Sequence, residues 1–274
     1  MPKRYLVVDQ NFLRRPDLKA IMDRDPNARF VLPDVAFSEM CKSPQWESTL
    51  RRSLSILSAY PNRTRVSMSV GEAINAEIKT QRSVSGHLLP REFIPIFTEL
   101  LCALSVGMES HVLSQIAQRI ALIQASLAHS ELNHQQNKQS AEALIEATKS
   151  MITADQAKSL RNGTMKRDER LDFISQRAPV VLEDFFRQAN FSSGKKRGFL
   201  KTKPLILRYT YLKMWASLDW IAKGGFEGLL PKRATNEAMD HDHILLATFF
   251  DGILSKESKV NEAYQDLCLL LIIV

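Results

Sequence analysis

Acidic side chains near the end of the chain stand where a parallel sheet would bring them to one edge. Asp240 and Asp242 lie in the first turn of a predicted helix, where negative charge suits the helix dipole. Glu257 follows a short apolar segment at 253–254 that is predicted to be a strand. In open α/β folds, ligands bind outside the carboxyl ends of the strands. The order helix, turn, strand and acid therefore predicts a ligand-binding edge lined by carboxylates.

A further acid, Asp9, closes a short β-rich apolar segment at residues 5–8. The segment is typical of a buried central strand, so Asp9 is expected at a carboxyl edge as well. An Asp after a strand also commonly caps the following turn through its side chain. At this point both the capping role and the functional role of Asp9 stay open.

The elements that would position these acids alternate as in an α/β protein. Residues 16–25 are predicted to be a helix and residues 30–32 a second strand. A proline-led helix follows and carries Glu39, which taken alone is typical of a solvated surface acid. Residues 66–70 alternate like a strand, and residues 71–78 resume a helix.

Four segments are informative when they are taken together: YLVVDQNFL at 5–13, FVLPDVAFSEM at 30–40, residues 66–78 and residues 242–260. In this order they resemble the PIN domain family of metal-dependent ribonucleases. The resemblance implies a three-layer PIN-like α/β fold with a central, mainly parallel sheet. It assigns residues 1–80 and 236–274 to a discontinuous nuclease core, and residues 81–235 to a large, mostly helical insertion.

The family pattern identifies individual acids. An Asp ends the first strand and is commonly followed two positions later by Asn, as with Asp9 and Asn11. A Glu follows a proline-led helix start, which matches Glu39. A third acid begins a helix of the form D-x-x-x-x-A-T, which matches Asp242, so Asp240 then acts only as a helix cap. His241 and His243 flank this acid and are expected to point sideways or into solvent.

The fourth acid of the family lies two residues after a Thr or Ser, which matches Glu257 after Ser255. The family usually has Asp at this position, and Glu is longer by one methylene group. This departure supports an alternative function, in which the protein is a catalytically degenerate PIN-like nucleic-acid-binding or assembly protein.

The resemblance implies a Mg²⁺- or Mn²⁺-dependent endonuclease that hydrolyses RNA more readily than DNA. Such a cation lowers the pKa of bound water and holds phosphoryl oxygens, and Mg²⁺ takes oxygen ligands from a few carboxylates. The expected metal ligands are Asp9, Glu39, Asp242 and Glu257, with Asn11 and Ser255 orienting a carboxylate or the attacking water. Other phosphate-handling classes fit less well, because no G-x-x-x-x-G-K-[ST] motif occurs and position 11 is Asn where a haloacid-dehalogenase phosphatase would have Asp.

The positive charge of the chain is concentrated in the predicted insertion. The net charge is +7, and residues 160–233 contain 16 Lys and Arg against 7 Asp and Glu. Residues 192–203 are predicted to be a basic loop that contacts nucleic acid, with Phe199 available for stacking on a base; a flexible tether is the open alternative. The candidate phosphate contacts are Lys195, Lys196, Arg197, Lys201 and Lys203.

The remaining expectations concern compartment, partners and the other helices. Three separated cysteines and the absence of a signal sequence predict a cytoplasmic protein without a membrane segment. The resemblance also implies a toxin or bacterial defence effector held by an antitoxin or another partner protein. Residues 112–127 carry an apolar helical stripe, whereas residues 267–274 are predicted to be a last strand, through which a homo-oligomer is an open alternative.

Overall fold

The computed structural model describes residues 2–41, 44–106, 114–115, 117–118, 130–225 and 230–273. These residues form two compact units. The first unit contains Met1–Glu72, Gly86–Ser130 and Asp242–Asn261, and the second contains Ala73–Ser85, Glu131–His241 and Glu262–Val274. Compactness alone does not show that a unit folds independently, so the predicted division into a core and an insertion stays a prediction.

The described part of the chain is an α/β protein in which helices predominate. Its strands are β1 (Arg4–Val8), β2 (Ala28–Leu32), β3 (Thr64–Val66) and β4 (Ile253–Leu254), and short 3-10 helices span Gln10–Phe12 and Pro61–Arg63. The first helices are α1 (Pro16–Arg24), α2 (Asp34–Cys41), α3 (Trp46–Ser58), α4 (Val70–Thr80) and α5 (Phe93–Val106). The later helices are α6 (Ser130–Lys149), α7 (Ala154–Arg161), α8 (Arg167–Gln188), α9 (Ser193–Lys201), α10 (Leu205–Ala222), α11 (Pro231–Ala247) and α12 (Ser258–Ile273).

The four strands form one parallel sheet in the order β3-β2-β1-β4. Successive strands extend the sheet on one side from β1 to β3, whereas β4 is added on the other side of β1. The direction of winding therefore reverses between β1 and β4. In open parallel sheets such a switch point leaves a crevice at the carboxyl ends of the two strands, where ligands usually bind.

The sheet is buried on both faces, as parallel sheets are when helices cover them. Val7, Val8, Val31 and Leu32 are fully buried on the two central strands. Helices α3 and α5 pack in the same core through residues that include Leu50, Leu54, Leu57, Phe97, Leu100 and Leu101. The α/β class and the parallel sheet are thus as predicted.

Strands were predicted correctly at 5–8, 30–32 and 253–254, but the strand predicted at 66–70 is wrong. Strand β3 ends at Val66, and α4 begins at Val70. A capping box between Ser69 and Glu72 starts the helix, because each residue's backbone N–H donates to the side chain of the other, at 3.4 and 3.1 Å.

Two buried carboxylates organise the second unit. Glu77 in α4 accepts hydrogen bonds from the backbone N–H groups of Val84, Leu205 and Ile206, at 3.0 to 3.1 Å, and so closes the amino terminus of α10. Asp266 in α12 is 1% exposed and accepts from Arg167 Nε at 2.5 Å and Trp215 Nε1 at 2.8 Å. These bonds connect α8, α10 and α12.

The carboxyl-terminal strand predicted at 267–274 is wrong, because these residues continue α12 to Ile273. Leu267, Leu270 and Leu271 are buried, whereas Leu269 and Ile272 are exposed, which is a helical pattern. A short apolar run does not distinguish a buried helix from a strand by its pattern alone. The apolar stripe predicted at residues 112–127 lies almost entirely outside the described residues.

None of the helices in the described ranges combines the length and apolar character that crossing a bilayer requires.

Candidate functional site

The carboxyl end of β1 holds Asp9 in a defined orientation. Its backbone N–H donates to the carbonyl of Leu254 at 3.0 Å, so the pairing of β1 with β4 extends to this residue. The side chain caps the 3-10 helix, because Oδ1 accepts from the backbone N–H of Asn11 at 3.2 Å. Its Oδ2 accepts from Ser255 Oγ at 2.6 Å. Asp9 is 5% exposed, so this carboxylate is both buried and held on two sides.

A loop between β4 and α12 brings a second carboxylate to the same edge. Ser255 Oγ also accepts from the backbone N–H of Glu257 at 3.1 Å. Glu257 Oε1 accepts from the side-chain amide of Asn11 at 2.9 Å. Asn261 holds the loop, since its amide donates to the carbonyls of Ser255 and Glu257, both at 3.0 Å. One network therefore joins four of the six predicted residues, Asp9, Asn11, Ser255 and Glu257, at the switch point of the sheet.

The chemistry of this network suits a hard divalent cation. Asp9 and Glu257 supply oxygen donors, which Mg²⁺ and Mn²⁺ prefer. A carboxylate offers about four lone-pair positions over two oxygens, so the hydrogen bonds to Asn11 and Ser255 leave acceptor capacity. The side chains that orient each carboxylate are of the kind that supports metal ligands in proteins. The donor set thus fits the predicted cation.

The other two predicted ligands lie on helices. Glu39 is in α2 and Asp242 is in α11, and both are partly buried. Within the ranges that the structure describes, no three or more His, Cys, Asp or Glu side chains form a group that could hold a metal ion. The assignment of Glu39 and Asp242 to the same metal site as Asp9 and Glu257 stays a prediction.

The position of Asp240 and Asp242 within their helix differs from the prediction. Helix α11 begins at Pro231, with the backbone N–H groups of Arg233 and Ala234 directed to the carbonyl of Leu230, and it continues to Ala247. Both acids therefore lie in its second half, and the argument from the helix dipole is wrong. Nothing between residues 232 and 239 breaks a helix, because this segment lacks Gly and Pro.

Sequence reasoning missed a second group at the carboxyl edge of the same sheet. Asp34 lies two residues after the end of β2, and within the described residues its Oδ1 is buried without a hydrogen-bond partner. Burial raises the pKa of Asp34, and the Glu72 carboxylate raises it further, whereas the backbone N–H of Val35 and the nearby His243 lower it. His243 is 2% exposed, so its predicted direction into solvent is wrong, as it is for His241 at 7%.

A partly buried acid whose pKa is raised beside a His is a candidate acid–base group. The signal for Asp34 was present in the sequence, since an acid two residues after β2 belongs to the same sheet edge as Asp9. The signal for Glu72 was the S-x-x-E sequence that begins α4.

The basic segment at residues 192–203 is a helix over most of its length, so the predicted loop is wrong. Helix α9 covers Ser193–Lys201. Phe199 is 4% exposed and packs with Phe186 and Phe191 at ring-centroid distances of 6.1 and 5.1 Å, so it does not stack on a base as predicted. This aromatic cluster anchors the apolar side of the helix and overrides its glycines.

The five predicted basic contacts divide into two classes. Lys196 pairs with Glu183 and lies over the ring of Phe186, and Lys203 donates to the carbonyl of Leu271. The side chains of the other three are exposed, and they are Lys195, Arg197 and Lys201.

Comparisons of the chain with protein-family models, with curated proteins and with solved structures find no match.

Proposed function

We propose that the protein is a Mg²⁺- or Mn²⁺-dependent endonuclease with a three-layer PIN-like fold, and that it hydrolyses RNA in preference to DNA. The observation that carries the proposal is the pair of carboxylates, Asp9 and Glu257, held by Asn11 and Ser255 at the switch point of a parallel sheet. Capping of a turn would require only one acid. Here two acids are each held by hydrogen bonds at the edge of the sheet where ligands usually bind.

In this proposal Asp9 and Glu257 bind the cation, with Glu39 and Asp242 completing the ligand set. When bound, the cation supplies a water of lowered pKa and neutralises charge on the attacked phosphate. Ser255 Oγ holds one oxygen of Asp9, and the backbone N–H of Asn11 holds the other. The Asn11 side chain fixes Glu257 in the same network.

The exposed cations of α9 are proposed as contacts to the phosphate backbone. Lys195, Arg197 and Lys201 are exposed on one short helix, and neutralisation of phosphates by such groups gives binding without sequence selection. The resemblance described above also suggests a toxin or defence effector that acts in the cytoplasm with an antitoxin.

The test is cleavage of end-labelled single-stranded RNA and DNA of matched sequence by the purified chain. Cleavage of RNA with Mg²⁺ or Mn²⁺, slower cleavage of DNA, and none with EDTA are expected. If neither polymer is cleaved, and neither cation raises the melting temperature, the nuclease proposal is wrong. In that case a binding assay with the same polymers tests the alternative of a degenerate nucleic-acid-binding or assembly protein.

Removal of the Ser255 hydroxyl is expected to weaken cation binding while all of the proposed metal ligands remain present. Ser255→Ala leaves Asp9 supported by Asn11 alone, and loss of a group that orients a metal ligand typically costs about 10- to 100-fold. We expect activity to fall by this factor, and the cation concentration for half-maximal activity to rise. Ser255→Thr keeps a hydroxyl and is the matched control. An unchanged cation dependence in Ser255→Ala would show that this hydroxyl does not support a metal ligand.

A further inference from the structure

A cleft in the second unit lies where the end of α6, the helix α7 and the turn after α10 meet. Its volume is about 350 Å³, within the range of roughly 300–1,000 Å³ that small-molecule sites occupy. Its lining combines three kinds of surface. The cationic side chains are Lys149 and Arg161. The apolar and small side chains include Ile152, Ala154, Ala157 and Ile221. The backbone of Gly224–Gly225 and the residue Thr153 form the rest of the wall.

The Lys149 ammonium group lies beside the glycine turn that follows α10. Gly224 and Gly225 have φ angles of 95° and 82°, a region that favours glycine. A Cβ atom added at Gly225 would lie 3.7 Å from Lys149 Nζ, so the ammonium group sits directly beside this turn. This part of the cleft wall is backbone without side chains, and the Lys149 ammonium group lies beside it.

Lys149 also pairs with Glu146, at 2.8 Å, on the same helix. The Glu146 side chain is 60% exposed, and ion pairs between exposed groups contribute little free energy. An anion in the cleft can therefore compete with Glu146 for the ammonium group. Glu146 is not among the residues that line the cleft, and none of the described residues that do line it is acidic.

Helix α7 contributes residues to the cleft from both of its ends. Its first residue, Ala154, lines the cleft, and Asp155 in the same turn offsets the partial positive charge of the helix amino terminus. Arg161 reaches the cleft from the last turn of α7, where its Nε donates to the carbonyl of Ala157 at 3.3 Å. A guanidinium group has five N–H donors, so this bond leaves donors for a phosphate.

We propose that this cleft binds the phosphate of a nucleotide, with Lys149 and Arg161 contacting the phosphoryl oxygens and the side chains of Ile152, Ala157 and Ile221 packing on the nucleoside. Two cationic side chains suit an anion, and the apolar wall suits a ligand that has an apolar part in addition to a phosphate. A free mononucleotide and the phosphorylated end of a nucleic-acid strand share this chemistry. The inference does not depend on the proposed nuclease activity.

The test is calorimetric titration of the full chain in EDTA, so that no divalent cation takes part. The probes are adenosine 5′-monophosphate, adenosine and inorganic phosphate. We expect the monophosphate to bind at least about tenfold more tightly than either of its parts, because the cleft offers surface to both. Failure of the monophosphate to bind would overturn the proposal, and so would equal affinity for adenosine or for inorganic phosphate.

Charge-removing variants locate the binding. Lys149→Gln and Arg161→Gln are each expected to weaken binding of the monophosphate at least about tenfold. Arg177→Gln removes an exposed arginine from α8 and is the matched control, expected to leave affinity unchanged. Glu146→Gln removes the carboxylate that competes with the ligand for Lys149, so the monophosphate should bind equally or more tightly. Equal affinities in Arg161→Gln and Arg177→Gln, with unchanged thermal unfolding, would overturn the assignment.

A last comparison distinguishes the two sources of the phosphate. Oligoribonucleotides of one sequence are titrated with a 5′-phosphate and with a 5′-hydroxyl group. Tighter binding of the phosphorylated strand, lost in Arg161→Gln, assigns the cleft to a strand end. Equal binding of both strands, together with Arg161-dependent binding of the monophosphate, assigns it to a free nucleotide.

Discussion

Replacement of Asp9 by Asn is expected to lower the rate of metal-dependent RNA cleavage by at least about 100-fold, the scale of losing a positioned electrostatic group. The exchange keeps the shape of the side chain. The amide oxygen can still accept from the backbone N–H of Asn11, and the amide nitrogen can donate to Ser255 Oγ, so the local fold should persist. The charge that would hold a cation is lost, and a neutral amide is a weaker ligand for Mg²⁺.

The measurement is the single-turnover cleavage rate, together with the shift in melting temperature that Mg²⁺ produces. Both are expected to fall in Asp9→Asn. Asp23→Asn is the matched control, because it makes the same exchange at an exposed position on α1, where Asp23 pairs with Lys19. Wild-type activity in Asp9→Asn would remove Asp9 from the ligand set and leave it as the cap of the 3-10 helix.

The Asp266→Asn exchange is expected to lower the free energy of unfolding by about 3 kcal/mol. Each carboxylate oxygen accepts from a different donor, Arg167 Nε on one and Trp215 Nε1 on the other. An amide has one oxygen, so one of these donors must face an NH₂ group. Trp215 is 4% exposed and Asp266 is 1% exposed, so water cannot replace the hydrogen bond between these two side chains when the NH₂ group faces the indole. Urea unfolding measures the change.

A double-mutant cycle with Trp215→Phe tests the cause of this loss. Without the indole N–H, the amide oxygen of Asp266→Asn can accept from Arg167, and its NH₂ group no longer faces a donor. In the Trp215→Phe background, Asp266→Asn should therefore lower the free energy of unfolding by a smaller amount than in the wild type. The expected difference is about 1 kcal/mol or more. Additive costs would show that the indole bond is not the source. Asp184→Asn, at an exposed ion pair with Arg187, serves as the surface control and should change stability little.

The part of the fold that could be predicted from the sequence is the part whose signals are local. The apolar segment at 5–8, ended by Asp9, was predicted to be a buried strand because it is short, includes the β-branched residues Val7 and Val8, and is followed by polar residues. The Ile253–Leu254 strand was visible between a glycine and a polar loop. For the same reason, four residues of the candidate site were identified and do lie together, since each sits within three residues of a strand end.

The errors arose where long-range packing decides between two local patterns. Residues 192–203 contain two glycines and five bases, which favours a loop, yet Phe199 packs on Phe186 and Phe191 and the segment becomes helical. Residues 267–273 are aliphatic enough for a strand, but they complete a helix that already begins at Ser258. The sequence contains no sign of which partner such a segment will meet.

Asp34 and His243 show a different kind of limit. An acid after β2 was visible, but its burial and its closeness to Glu72 and His243 depend on where α4 and α11 approach the sheet. Burial of a single acid cannot be predicted from a pattern of apolar residues, because the pattern describes only what fills the core. Local sequence therefore indicated which strand ends are followed by candidate functional residues. Tertiary packing determines which further side chains lie close to those strand ends.

The strand β4 is two residues long, and among the described strands it lies at one edge of the sheet. This strand and the residue before Gly252 are attached to β1 by bonds that include Val7 N–H to the Gly252 carbonyl at 2.9 Å, Asp9 N–H to the Leu254 carbonyl at 3.0 Å and Asp251 N–H to the Tyr5 carbonyl at 2.8 Å. Segments held by so few bonds open and close far more often than the whole protein unfolds. Each opening would carry Ser255 and Glu257 away from Asp9. Fraying of this one short strand is therefore expected to limit the lifetime of the assembled network, because the other strands can stay paired while β4 opens.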